Sequence, residues 1–159
     1  MDEAVSPLPN LVQRTRVADG DELVYTFGNG LTVHTEVFMK DDPLRVLPIG
    51  TPQDTLINWM LNHPEHIAGK TVFEPFAGSG VLGLMALKLG ARHVDFLDIN
   101  PRAVEFQVAN AQGNGFAPTR YRAIEKSIAV FEPECRYDLI FSNPPSGVGT
   151  NGGLEKIRS

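Results

Sequence analysis

Gly78-Ser79-Gly80, Asp98 and Asn143-Pro144-Pro145 are the three places in this 159-residue chain where side-chain type and position point to reactivity or ligand binding. The glycines stand where one apolar run, TVFEPF (71–76), gives way to another, VLGLMALKL (81–89). A strand that turns on glycines into a helix presents free backbone N–H groups to a ligand. Gly78 and Gly80 also remove side chains where a ligand must approach the backbone. Asp98 lies near the end of HVDFLDI (93–99), twenty residues after Gly78 (98 − 78). A carboxylate there can accept both hydroxyl protons of a ribose. Gly78-Ser79-Gly80-Val81-Leu82-Gly83 is a literal G-x-G-x-x-G, and with Asp98 it meets the pattern for NAD binding. Spacing therefore predicts a nucleoside ligand without choosing the cofactor. The tripeptide follows YDLIFSN (137–143) directly, and Pro-Pro there also serves as ordinary turn punctuation.

These residues need a scaffold, and the hydrophobic pattern supplies one. From Lys70 onward strands and helices alternate: 71–76, 81–89, 93–99, a helix opening on Asn100-Pro101, a short strand within 119–124, and a strand at 137–143. Such alternation predicts an α/β fold, a Rossmann-like doubly wound parallel sheet with right-handed crossovers. The carboxyl ends of its strands face one ligand crevice, so Asn143 is expected near the edge that carries Gly78 and Asp98. Val104, Val108 and Ala111 mark one face of the helix after Asn100. Residues 22–38 read as a β-hairpin around Gly28-Asn29-Gly30. Thr51 is the expected N-cap of a helix with Pro52 in its first turn, ending near Asn62-His63-Pro64. The chain divides on this reading into a loose lead-in (1–21), the hairpin and helix (22–69), the core (70–145) and a glycine-rich tail expected to be mobile (146–159).

A resemblance chooses between cofactors. Glu74-Pro75-Phe76-Ala77-Gly78-Ser79-Gly80 is similar to the first motif of class I S-adenosylmethionine-dependent methyltransferases, an acid followed after three residues by G-x-G. Asp98-Ile99-Asn100-Pro101 resembles their second motif. The resemblance implies that Glu74 orients the loop and the amino-acid end of S-adenosyl-L-methionine. It implies that Phe76, Ala77, Gly78, Ser79 and Gly80 form the turn, that Asp98 holds the ribose, that Ile99 packs on the adenine, and that Asn100 lies beside them. Asn143-Pro144-Pro145 resembles the Asn/Asp-Pro-Pro motif of enzymes that methylate exocyclic base amines or glutamine side chains, with Asn143 also near the cofactor. On that likeness, the Asn143 side-chain oxygen and the Pro144 carbonyl accept the N–H bonds of a planar nitrogen and hold it ready to attack. The segment from 36 to 55 loosely resembles the one preceding the first motif in release-factor glutamine and ribosomal RNA guanine methyltransferases. The expected function is methyl transfer to an amino or amide nitrogen of a protein or nucleic acid, with S-adenosyl-L-homocysteine as product. Ser146 departs from the motif, which continues with Tyr or Phe. Phe27, Phe38 and Trp59 could substitute, although each reads as core. A non-catalytic nucleoside-binding module, or pseudoenzyme, is the alternative that Ser146 favours, ahead of an NAD-dependent oxidoreductase.

Composition sets the remaining bounds. Net charge is −5 with a pI near 5.3, against a broad basic face for non-specific nucleic-acid binding. Cys135 is the single cysteine, so no internal disulfide forms. No stretch approaches a membrane span and the N-terminus lacks an apolar signal region, so a cytoplasmic protein without membrane partners is expected. His63 and His66 lack further ligands at a metal spacing, and no metal is expected. Glu125 and Ser127 read as solvated loop. No fifth strand is readable, so the sheet looks truncated after the fourth. The exposed edge is expected to self-associate or to be covered by the chain's own hairpin, and these 159 residues alone are expected to show no methyl transfer.

Overall fold

The computed structural model describes residues 11–17 and 20–145; the glycine-rich tail from 146 lies outside them. Among the described residues, seven strands and three α-helices form in the order β1 (Leu11–Arg16), β2 (Glu22–Phe27), β3 (Thr32–Glu36), α1 (Thr51–Asn62), β4 (Thr71–Pro75), α2 (Val81–Lys88), β5 (His93–Asp98), α3 (Pro101–Gly113), β6 (Tyr121–Glu125) and β7 (Leu139–Ile140). The last four strands make a parallel sheet in the order β6-β5-β4-β7, and the first three an antiparallel sheet in sequence order. Every residue of β4 is buried, as a strand covered on both faces requires. Growth of the sheet reverses between β4 and β7, the point at which open α/β sheets bind ligands.

The two faces are covered differently. Right-handed crossovers put α2 and α3 on one face. There α2 packs so tightly that a Cβ on Gly83 would stand 2.4 Å from Phe96 Cε1 and 2.7 Å from Val94 Cγ1. The connection from β6 to β7 covers the other face, stacking Phe131 and Tyr137 on Phe73 at 5.2 and 4.8 Å between centroids. Asp95, 1 % exposed, is held there by Arg122 (Nη2–Oδ2 3.0 Å), by His93 (2.8 Å) and by the Tyr137 hydroxyl.

Several expectations are corrected. Leu11–Arg16 is a strand rather than loose lead-in, because the outer side of β2 gives its N–H and C=O groups partners that local sequence does not announce. Gly50, not Thr51, caps α1: the Gly50 carbonyl accepts from Gln53 N (3.2 Å) and the Gln53 Oε1 accepts from Gly50 N (3.0 Å). Pairing of the last core strand spans only Leu139 and Ile140, although Asp138 and Phe141 still donate backbone bonds to Thr71 and Phe73. The inward face of α3 is turned by about one residue, burying Ala103, Gln107, Asn110 and Ala111 while Val104 and Val108 stay half-buried.

The hairpin does not cover β7. It docks on α3, where two carboxamides replace a strand partner. Asn114 accepts from Thr32 N (2.9 Å) and donates to Thr32 O (2.6 Å). Asn110 accepts from His34 N (2.8 Å) and donates to His34 O (3.0 Å). Replacing Asn114 with Ala would leave both backbone groups of Thr32 without these partners. Asn114→Ala is expected to lower stability by about 1–3 kcal/mol in urea denaturation, with the slope unchanged. An unchanged midpoint would show that the amides do not hold the hairpin.

Candidate active site

The crevice is built where β4, β5 and β7 end. Beyond Pro75 the chain turns sharply: Phe76 has φ 54°, the only positive φ outside glycine among the described residues, and Gly78 follows with φ 54°. A Cβ on Gly78 would meet nothing within 4 Å, so open space lies over this peptide. Gly80 is different. Its Cβ would lie 3.0 Å from Phe96 Cε1 and 3.2 Å from Gln107 Cγ, so this glycine is required by packing against the protein rather than by ligand clearance.

Asp98 connects the parts. Its Oδ2 accepts from Gly78 N (2.8 Å) and its Oδ1 from Asn100 N (2.9 Å). One carboxylate thereby holds the glycine turn and the start of α3, and each oxygen keeps a lone pair for a further donor. Asn100 accepts from Arg102 N (3.0 Å) as the expected N-cap and donates to Leu44 O (2.8 Å). Ile99 is 48 % exposed beside them. Behind the turn, Glu74 is buried and accepts from Gly83 N (2.8 Å). Burial pushes its carboxyl up to about 8, with Asp98 adding to the rise and the Gly83 and Leu82 N–H groups opposing it.

Ser142 Oγ donates to Pro75 O (3.4 Å) and Phe141 N to Phe73 O (3.0 Å), which lays the start of the Asn143-Pro144-Pro145 turn against the end of β4. Glu74, Phe76–Gly80 and Asn143 thus share one edge with Asp98, Ile99 and Asn100. Ser79 is buried and contributes its carbonyl to the protein. Ser127 caps the short 3-10 turn at Ile128–Val130, accepting from Ala129 N (3.2 Å), and Glu125 ends β6 exposed. His63 and His66 stack on Trp59 (4.9 and 5.9 Å). Of the candidate stacking aromatics, Phe27 is core, whereas Trp59 and Phe38 are exposed (38 % and 69 %).

The sequence did not point to two residues that hold the turn from behind. Gln107 Nε2 donates to Gly78 O (2.9 Å) and Asn110 Nδ2 to Ser79 O (3.0 Å). Amides at inward positions of an otherwise apolar helix face were the available signal.

Sheet order, glycine turn and strand-end acid are those of the class I methyltransferase fold. A family profile described as "Conserved hypothetical protein 95" matches residues 50–157, and the chain belongs to that family. Among curated proteins it is 34% identical over 102 residues to a ribosomal protein L11 methyltransferase of Marinobacter nauticus, covering 64% of this chain and 33% of the relative. A second ribosomal protein L11 methyltransferase, from Aeromonas hydrophila, is 51% identical over 51 residues, 32% of this chain and 18% of the relative. The chain therefore spans about a third or less of these relatives. In fold it is similar to a 16S rRNA N2 methyltransferase of T. thermophilus solved with AdoMet and guanosine (TM-score 0.60, 22% identity, 98% of this chain and 40% of the other). It is also similar to protein arginine methyltransferase 10 of Arabidopsis thaliana (TM-score 0.54, 24% identity, 67% and 28%).

The raised pKa of Glu74 gives the folded chain an expected pH response. Its folded value of about 8 lies above the ordinary 4.5, so the folded state holds a proton that the unfolded chain releases. That contribution is complete below 4.5 and is lost as pH rises through 8. Glu74→Gln stays neutral, so its melting temperature is expected to gain on the parent's steadily from about pH 5 to about pH 9. A constant difference between the two would show that Glu74 is ionised in the folded state.

Proposed function

We propose that this chain carries the cofactor-binding and acceptor-orienting residues of an S-adenosylmethionine-dependent methyltransferase that acts on a planar amino or amide nitrogen. The observation that supports the reading best is the Ser142–Pro75 hydrogen bond, which ties the residue before the Asn-Pro-Pro turn to the end of β4, where the glycine turn begins. The residues present fit the cofactor: Asp98 keeps two lone pairs for ribose hydroxyls, Gly78 leaves open space over its peptide, and Ile99 offers an exposed apolar surface for adenine. The cofactor supplies an electrophilic methyl group on a sulfonium.

Residues of the chain do the rest. A planar nitrogen is a poor nucleophile because its lone pair is delocalised. Asn143 Oδ1 and the Pro144 carbonyl accept its two N–H bonds and hold it closer to pyramidal. Pro144 and Pro145 fix φ and keep those acceptors in place. Neutral acceptors suffice against a cationic donor. The curated relatives are named for ribosomal protein L11 and a fold neighbour for 16S rRNA, so a ribosomal component, protein or RNA, is the acceptor class we assign. Among the described residues no helix is long and apolar enough to cross a membrane, and the cytoplasm is the compartment that suits such an acceptor. The outer edge of β7, with Ile140 64 % exposed, is the surface at which self-association is expected, as a species heavier than monomer in sedimentation.

S-adenosyl-L-homocysteine is expected to raise the melting temperature and NAD to leave it unchanged. Stabilisation by NAD alone would overturn the cofactor. Asp98→Ala should weaken S-adenosyl-L-homocysteine by about 1–3 kcal/mol. Asn143→Ala should bind it nearly as the parent does, yet abolish tritiated-methyl transfer by the complete gene product into lysate fractions split by protease and nuclease. Full transfer by Asn143→Ala would remove Asn143 from the mechanism.

A further inference from the structure

The segment between β3 and α1, residues 37–50, is held far more firmly than a plain connection needs. Val46 and Ile49 are buried. Val46 N donates to Glu36 Oε1 (3.0 Å), and Glu36 N to Val46 O (2.8 Å). The Arg45 guanidinium, 9 % exposed, meets Glu36 (3.1 Å), Asp21 (3.0 Å) and Asp42 (3.2 Å). A second arginine reaches in from α3: Arg102 Nη1 lies 2.7 Å from Asp42 Oδ2 and 3.3 Å from Glu36 Oε1. This guanidinium holds the Asp42 carboxyl below its ordinary range. Asn100 Nδ2 adds the bond to Leu44 O.

This firmly held segment nevertheless exposes apolar side chains. Leu44 is 44 % and Leu47 57 % exposed, alternating with the buried Val46 and Ile49. Both grips from α3 start within three residues of Ile99, itself half exposed and next to Asp98. Asn100 and Arg102, at the start of α3 just after Asp98 and Ile99, therefore hold the backbone at Leu44 beside that end of the site. A purine has two apolar faces, and a wall on one side leaves the other in water.

We propose that the 37–50 segment is the second wall of the nucleoside end of the cofactor site, with Leu44 opposite Ile99 and Arg102 as the residue that positions it. The inference rests on the cofactor reading above. A neutral purine nucleoside is the chemistry such a wall recognises: apolar on both faces, polar only at its edge and its ribose.

Calorimetric titration of the 159-residue chain with adenosine and with S-adenosyl-L-homocysteine tests it. Leu44→Ser changes an exposed residue and leaves the fold intact. It should weaken both ligands by the same factor, about tenfold, because the two share only the nucleoside. Arg102→Gln should weaken both similarly. Arg102→Lys should restore binding, since a single nitrogen makes both ion pairs and an ammonium can take its place. If Leu44→Ser bound both ligands as the parent does, the wall would be overturned, whatever Arg102→Gln did. A loss confined to S-adenosyl-L-homocysteine would overturn it as well, by moving the contact to the amino-acid end. A parent that bound neither ligand would instead overturn the cofactor reading itself.

Discussion

The approach of α2 to β5 governs the rest of the molecule. Gly83 has no room for a side chain, because the space is filled by Phe96, Val94 and Glu74 Oε1. That absence lets the helix settle onto the strand, brings Gly83 N to Glu74, and fixes where the helix must begin. The turn from Phe76 to Gly80 has to cover the remaining gap in five residues, which is why positive φ recurs at 76, 78 and 80. With the turn fixed, Gly78 N meets Asp98 and the ends of β4 and β5 are locked together. The raised pKa of the buried Glu74 carboxyl follows from the same compression. The group is buried between helix and strand, and the backbone donors only partly offset its lost hydration.

The two inner strands, β4 and β5, were legible because they are largely buried and read as mostly apolar runs closed by glycine or Asn-Pro. The acid and glycine positions were legible for the same reason, since they sit at the ends of those runs. Asn143 was placed by the rule that strand ends share an edge. What escaped was non-local. Arg102 meets Asp42 sixty residues away, and Asn114 meets Thr32 across eighty-two. Such pairs leave no period or spacing in the sequence. The strand at Leu11–Arg16 escaped for a related reason: LVQRTR is held by backbone pairing with β2, a partner that its own sequence does not announce. Gly80 was legible as a glycine that must be there, but the residues it yields to are Phe96 and Gln107.

The crevice has a polar backing as well as a polar mouth. Gln107 and Asn110 take the carbonyls of Gly78 and Ser79 from behind, so the peptides of the turn are oriented before any ligand arrives. Preorganisation of this kind reduces the ordering cost of binding.

Asn110 also bonds both backbone groups of His34. A helix rises about 6 Å in four residues and a strand about 6.6 Å in two, so two amides spaced i, i+4 match two strand residues spaced i, i+2. The match drifts, and a third pair would miss. The hairpin therefore has one register on α3. Because a one-residue slip would turn Tyr25, Phe27 and Val33 out of the core, that register is also the only one that buries them. Hairpin and parallel sheet are joined across their sequence boundary by the same side chain that steadies the glycine turn. Opening of the hairpin would therefore take with it one support of the glycine turn, because the Asn110 amide that bonds His34 also bonds Ser79 O.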